Sequence, residues 1–346
     1  MPGELEIISK IRARSRRGVN VVAGIGDDAA VLRSPRGKDL LACCDLSIEG
    51  VHFRTDWMPP ELIGRKALAV NLSDIAAMGG VPLYAMMSIA LSGPTTDYID
   101  QLFTGVLELA EHVGVSIIGG DTSSSPGSIF IDVSVIGECE QGQAVLRNGA
   151  RPGDFIFLTG TLGASALGLK LLQAGKRLER VGDDAAPSGE QVRSAIQRAI
   201  GRHLRPEARL KAGHLIGQHA LATAMIDISD GLSTDLFHVL EESNCGAVLN
   251  AESIPIDLAV MALASASCPD RLLEIQDALE IALHSGEEYE LLFTVSPDRR
   301  WEVEKLAPNL GVPISLVGEI VEGAEVRIER NGKSSVLRPL GYEHKI

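Results

Sequence analysis

Aspartates beside glycines or at the ends of apolar runs are the residues of this 346-residue sequence whose type and spacing could do chemistry. Asp27 and Asp28 stand in Gly24-Ile-Gly-Asp-Asp-Ala-Ala30, just before an apolar run. Asp45 ends the run Leu40–Cys44, Asp121 follows Gly119-Gly120, and Asp227 and Asp230 lie in Ile226-Asp-Ile-Ser-Asp-Gly231, at a strand-to-helix junction. A strand-end aspartate next to glycine projects its carboxylate into the crevice where α/β sheets bind ligands. Taken singly, each also reads as a turn residue or helix cap, Asp230 as the cap of a helix starting at Leu232. Asp74 differs, because it lies inside Ala67-Leu-Ala-Val-Asn-Leu-Ser-Asp-Ile-Ala-Ala-Met78, a helix apolar nearly all round. It is therefore expected to be buried, with Asn71 three residues earlier on the same face. A buried carboxylate is costly unless it is paired or bound to a metal; a hydrogen-bonded core aspartate is the plain alternative. Clustered carboxylates repel one another, and a divalent cation relieves that repulsion. Hard oxygen ligands without His or Cys select Mg²⁺, which binds through a few carboxylates plus phosphate oxygens.

Other signatures fail. No His-Glu-x-x-His and no Gly-x-Ser-x-Gly elbow occurs. Asn331-Gly-Lys-Ser334 superficially looks like a phosphate loop, but position 327 is Arg where the first glycine should be, and the segment reads as a hairpin turn. Val181-Gly-Asp-Asp-Ala-Ala186 repeats the earlier string, but Pro-Ser-Gly follows it instead of a strand, so it reads as solvated loop.

Composition narrows the function class. Asp plus Glu is 46 against 32 for Lys plus Arg, a net charge of −14. That argues against nucleic-acid binding, which needs a basic face, and suits cations or anions that arrive with metal ions. The 36 glycines imply many tight turns or close backbone approaches to ligand. With 7 Phe, 4 Tyr and 2 Trp, an aromatic cage is not expected. The charged N-terminal stretch lacks a signal-peptide core, and no run of about 18 apolar residues suggests a membrane span. Five cysteines without Cys-x-x-Cys spacing point away from a disulfide framework and toward a reducing cytoplasm.

The elements that must position these aspartates follow from periodicity. Helices are expected over 4–16, 61–78, 96–112, 164–173, 191–200, 206–217, 232–243 and 299–306. Strands are expected over 29–32, 40–44, 83–91, 115–118, 129–136, 155–159, 224–228 and 290–295, with a Gly-Asp-Thr-Ser loop after 118. Residues 177–190 read as a surface loop. No strict βαβ repeat appears in the first half, so an α/β chain of α+β layering is expected rather than a Rossmann sheet. Turn residues at Ala150-Arg-Pro-Gly153 mark a boundary between domains 1–150 and 151–346.

Several long strings, in order over nearly the whole chain, resemble thiamine-monophosphate kinases. They are residues 24–32, Asp45-Leu-Ser-Ile-Glu-Gly-Val-His-Phe53, residues 66–79, Gly119-Gly-Asp-Thr122, Arg202-His-Leu-Arg-Pro206, residues 226–232, Ser285-Gly-Glu-Glu-Tyr-Glu290 and Gly341-Tyr-Glu-His344. The wider superfamily includes aminoimidazole ribonucleotide synthetase, selenophosphate synthetase and a hydrogenase-maturation dehydratase. The resemblance implies a two-domain aminoimidazole ribonucleotide synthetase-like fold. It also implies a homodimer whose N-terminal domains pair into a shared β-barrel, with ATP in a cleft near the interface. Family metal ligands fall on Asp28, Asp45, Asp74, Asp121, Asp227 and Asp230. Arg147 and Ser229 match nucleotide-contacting positions, with the Gly120 backbone beside them; His52 and Glu287 match contacts to thiamine monophosphate. Cys43 and Cys44 stand where Ser or Thr is frequent near the metals, so contact from Cys44 would come from its carbonyl. Thr104 and Pro339 stand where aromatics often pack near adenine and the thiamine ring.

The reaction so implied is direct transfer of the γ-phosphoryl group of ATP to thiamine monophosphate, assisted by several Mg²⁺ ions. The acceptor oxygen is already ionised, so no general base is expected, and Arg147 is the candidate charge stabiliser. Two alternatives remain: a superfamily reaction in which ATP activates an amide, carbamoyl or selenide substrate, and nucleotide binding without turnover.

Overall fold

The computed structural model describes residues 21–23, 30–33, 37–93, 96–178, 190–264 and 278–342. The expected helix at 4–16, Asp27 and Asp28, and the 181–186 string lie outside them.

The first half is a six-stranded sheet in the order β1-β2-β3-β6-β4-β5. Its strands are β1 (Val21–Ala23), β2 (Ala30–Arg33), β3 (Lys38–Ile48), β4 (Val81–Leu91), β5 (Ser116–Ser124) and β6 (Phe130–Glu140). Only β4 and β5 pair in parallel; the other ladders are antiparallel. Two helices, α1 (Pro60–Ala77) and α2 (Thr96–Val113), cover one face. Strand alternation sends Leu41, Val133, Val135, Ala85, Met87 and Ile89 under them, all buried. The other face carries Leu46, Tyr84 and Met86, all exposed. The helices cross at glycine: a Cβ on Gly105 would lie 1.8 Å from the Glu61 carbonyl oxygen.

The second half is a seven-stranded sheet, β13-β12-β9-β11-β7-β10-β8. It comprises β7 (Phe155–Thr159), β8 (Ala224–Asp227), β9 (Gly246–Asn250), β10 (Leu291–Val295), β11 (Ile314–Val321), β12 (Val326–Arg330) and β13 (Lys333–Val336). Around it pack α3 (Ala164–Gln173), α4 (Glu190–Leu204), α5 (Leu210–Gln218), α6 (Leu232–Ser243), α7 (Leu258–Ala264), α8 (Ala278–His284) and α9 (Arg300–Leu306). β12 and β13 form the expected hairpin, with Arg330 opposite Lys333 and Asn331 at φ 50°. One apolar cluster runs from Leu68 and Ile75 of α1 through Leu167 and Leu171 of α3 to Ile200 of α4, so the two halves share a core. Among the described residues no helix is long and apolar enough to cross a membrane.

Four local expectations change. Asp45 does not end its strand but lies inside β3. The 119–122 segment is not a loop: β5 continues to Ser124 because β4 hydrogen-bonds to it along its length. Asp74 is half-buried rather than enclosed, while Asn71 is fully buried. Asp230 is not the cap of α6; Gly231 takes that position, and Asp235 Oδ2 accepts the Asp230 and Gly231 N–H groups from the first turn.

Candidate functional site

A cavity of about 790 Å³ lies where α1 meets α3, α4, the end of β8, and the 284–289 and 340–342 segments. β3 gives it Asp45, the loop after β3 gives His52 and Trp57, and α1 gives Lys66, Val70 and Asp74. Positions 66, 70 and 74 share one helical face. The cavity wall of α1 therefore runs about 12 Å from Lys66 to Asp74. Asp227, Ser229 and Asp230 enter from the strand-to-helix junction after β8, where the sequence places them.

The carboxylates converge. Asp227 is nearly fully buried, and its Oδ2 accepts the Ser73 hydroxyl at 2.5 Å. Burial, then the charges of Glu287, Asp45, Asp227 and Asp74, push the Tyr289 phenol well above its usual range. Burial and the charges of Asp230 and Asp227 push Asp235 up in the same way. Asp230, Asp235 and His238 each bring a potential ligand atom within 4.8 Å of the others. Hard carboxylate oxygens concentrated in one cavity fit a divalent, oxygen-seeking cation such as Mg²⁺. The Cys44 thiol is turned away from them, donating to Asp132 Oδ1 at 2.9 Å. Cys43 stays protonated, raised by burial and then by Asp74 and Asp45, and donates to the Asn71 carbonyl.

The far end of the cavity is built differently. His52 Nδ1 accepts the Ile48 N–H at 3.0 Å, which assigns its ring proton to Nε2. The three glutamates of Ser285–Glu290 serve three elements. Glu287 meets Lys66 at 2.7 Å and His203 at 3.1 Å. Glu288 Oε1 accepts the Gly163 and Ser165 N–H groups at the start of α3. Glu290 pairs with Arg202 and Arg209 and accepts the Thr159 hydroxyl. This alternation needs left-handed backbone at Glu287 (φ 59°) and Tyr289 (φ 53°), which non-glycine residues adopt at a cost and which clusters at binding sites.

Of the residues singled out in the sequence, Asp45, Asp74, Asp227, Asp230, Ser229, His52 and Glu287 line this one cavity. Asp28 lies outside the described residues. Asp121, Gly120, Arg147, Cys44, Pro339 and Thr104 are not on its wall. Across the sheet, Asp45 pairs with Val133, Val133 with Met87, and Met87 with Gly120. Three strand spacings put Gly120 about 14 Å from Asp45 along the sheet. Gly120 itself cannot take a side chain, since a Cβ would sit 1.8 Å from the Met87 carbonyl oxygen. Asp121 is exposed and pairs with Ser88 on the face opposite the helices. Arg147 follows β6, half-buried, its carbonyl accepting the Ser243 hydroxyl. Sequence reasoning missed Lys66, Ser73 and His203; a lysine inside an apolar helix, at i−8 from Asp74, was the available signal. It also underrated the rings, since Phe53, Trp57, Tyr289 and Tyr342 all line the cavity.

The fold and this acidic cavity define a class. Residues 26–139 match the family model for the N-terminal domain of AIR synthase related protein, and residues 151–331 match that for its C-terminal domain. Within that class, the chain is 36% identical over 345 residues to thiamine-monophosphate kinase of Bacillus subtilis (strain 168), covering 99% of each. It is 37% identical to that of Escherichia coli (strain K12), covering 99% of this chain and 98% of the relative. A solved structure of "AaThiL complexed with AMPPCP and TMP" superposes with a TM-score of 0.81 at 32% identity, covering 99% of this chain and 97% of the other. The chain belongs to the thiamine-monophosphate kinase family.

Proposed function

We propose that this chain transfers the γ-phosphoryl group of ATP onto the phosphate of thiamine monophosphate, yielding thiamine diphosphate and ADP. The observation that carries this reading is the two-ended cavity, with Asp45, Asp74, Asp227 and Asp230 at one end and His52, Lys66 and Glu287 at the other. Its length along α1 suits a substrate with an anionic phosphate end and an organic ring end. A phosphate oxygen of the acceptor attacks the γ-phosphorus; a P–O bond forms as the β–γ bridging bond breaks, and ADP carries off the negative charge. The acceptor oxygen is already ionised, so the step asks for no general base. The four aspartates would hold Mg²⁺, which when bound neutralises the phosphate charge. The chain's own work is to hold two polyanions in line. Ser229 sits on the wall to contact the nucleotide, with Arg147 and Gly120 in the same role.

The complete site takes two copies of the chain. β5 is an edge strand, exposed at every position but Ile117, and it carries Gly120 and Asp121. An exposed edge and a sheet face bearing Leu46, Tyr84 and Met86 need covering. A homodimer that joins the open faces of domains 1–150 into a barrel covers both. It brings Asp121 toward a cavity whose wall, within one chain, does not include it, whereas Pro339 already adjoins that wall through Leu340. Residues 151–346 complete the nucleotide and substrate site, and the cytoplasm, where ATP is made, is the compartment.

The test is to incubate the protein with ATP, Mg²⁺ and thiamine monophosphate and to separate the products by chromatography. Thiamine diphosphate equimolar with ADP is expected. ATP consumption independent of thiamine monophosphate would instead indicate activation of an amide, carbamoyl or selenide substrate, and absence of turnover would indicate a nucleotide-binding protein.

A further inference from the structure

The organic end of the cavity contains a short buried relay of charge. Lys66 on α1 is 5% exposed, with Nζ 2.7 Å from Glu287 Oε1 and 3.4 Å from the His52 carbonyl oxygen. His203 on α4 is equally buried, with Nδ1 3.1 Å from Glu287 Oε2 and 3.2 Å from the Ser165 hydroxyl. A carboxylate only accepts, so the His203 proton belongs on Nδ1. Both oxygens of Glu287 are thus engaged by the protein, one from each half of the chain. Each oxygen retains a second lone pair, and Glu287 lines the cavity. Its backbone is fixed as well, because its N–H donates to the Ser229 carbonyl at 2.7 Å in the left-handed conformation. A lysine used only for packing gains nothing from facing a cavity. A buried pair with one member open to a ligand site is arranged for recognition.

We propose that Lys66 and His203 are positioning residues that hold Glu287 as the acceptor for the ring end of the substrate, a heteroaromatic group carrying an amine donor. The inference rests on the kinase reading above. The Lys66 ammonium offsets the charge of Glu287, so the ring end is selected by hydrogen-bond direction more than by net charge. Other groups also face this carboxylate. They are His52 from the loop after β3, Ser165 from α3 and Tyr289 from its own segment, with Asp45, Asp74 and Asp227 across the cavity.

Burial alone would raise the Glu287 carboxyl, but the Lys66 charge and the Lys66 hydrogen bond hold it below the ordinary value. The same burial, aided by Lys66, lowers His203 to about 3, so it acts as a neutral donor. Removing Lys66 takes away the charge that opposes burial, so the Glu287 carboxyl rises and takes up a proton more readily as the pH falls. A protonated Glu287 no longer offers the same acceptor.

The measurement is steady-state kinetics of wild type, Lys66→Met, Lys66→Arg and Glu287→Gln, with both substrates varied between about pH 8 and pH 6. Dividing variant by wild-type values cancels the titration of the substrate phosphate, whose second pKa is about 6. Lys66→Met should raise KM for thiamine monophosphate about tenfold or more, with KM for ATP moving less than about twofold. That ratio should grow as the pH falls, and Lys66→Arg, which keeps the charge, should remove the growth. Glu287→Gln should raise the same KM without pH dependence, and adding Lys66→Met to it should cost little more. If Glu287→Gln leaves KM for thiamine monophosphate unchanged, Glu287 is not the substrate acceptor and the site reading itself falls. If Glu287→Gln raises that KM while Lys66→Met and Lys66→Arg behave alike at every pH, only the positioning role is overturned. Should Lys66→Met prove insoluble, the same decision follows from His203→Phe, expected to raise KM for thiamine monophosphate selectively; equal rises for both substrates would refute it.

Discussion

Ser73 Oγ donates to Asp227 Oδ2 at 2.5 Å, and this bond ties α1, on the first sheet, to the end of β8 in the second. Both residues are buried, and Ser73 is the chain neighbour of Asp74. One hydrogen bond therefore fixes the spacing of two carboxylates from different halves. Ser73→Ala removes a donor from a buried carboxylate, a loss worth about 1–3 kcal/mol. A lower Tm together with about a tenfold fall in kcat is expected. Thermal denaturation and a turnover assay check both, and unchanged kcat would show that this spacing is not critical.

Asp74→Asn and Asp227→Asn keep the shape of the site and remove one charge each. If these aspartates neutralise transferring phosphate through a cation, each variant should lose about a hundredfold or more in kcat. Stability should hold or rise, because like charges have been thinned. Turnover against Mg²⁺ concentration is the measurement, with a right-shifted curve expected; near-normal kcat would refute the metal role.

Much of this site is legible in the sequence, and the illegible part has physical causes. Asp74 stands out because a charge in an apolar helix demands an explanation, and Asp227 and Asp230 because their strand and helix are strongly periodic. Asp45 was misplaced because Cys43 and Cys44 hide the length of β3, which its eleven-residue ladder with β6 extends to Ile48. Glycines 119 and 120 read as a loop, yet pairing with β4 overrides their poor strand propensity. The Lys66–Glu287–His203 relay joins α1, a left-handed segment and α4. Such contacts between distant stretches leave no mark in local spacing. β9 and β11, each interior to its sheet, likewise went unassigned.

The proposed two-chain site makes a sharp prediction. Asp121 lies across the sheet from Asp45 and on the opposite face, so within one chain they serve different places. If Asp121 acts on the partner's cavity, Asp121→Asn and Asp74→Asn, each inactive as a homodimer, should complement. Each mixed dimer would carry one intact site of two, so the doubly selected dimer should recover about half of wild-type kcat. Co-expression with two affinity tags, then an assay of the doubly selected dimer, measures it. No recovery would mean that Asp121 works within its own chain or not at all.

Glu288 gives a prediction on stability alone. It is fully enclosed, and burial raises its carboxyl to about 8 despite the opposing Arg202 charge and the Gly163 and Ser165 N–H groups. Among the described residues its Oε2 has no hydrogen-bond partner, in keeping with a carboxyl that is not ionised. Unfolded, the group titrates near about 4.3. Between these values the folded chain binds more protons than the unfolded chain, so this residue's contribution to stability falls as pH rises. Glu288→Gln keeps the neutral shape and cannot ionise, so its Tm relative to wild type should climb steadily from about pH 5 to pH 8. The comparison is a pair of melting series in matched buffers. A Tm difference that stays flat with pH would mean that Glu288 is ionised in the folded chain, held so by Arg202 and the start of α3.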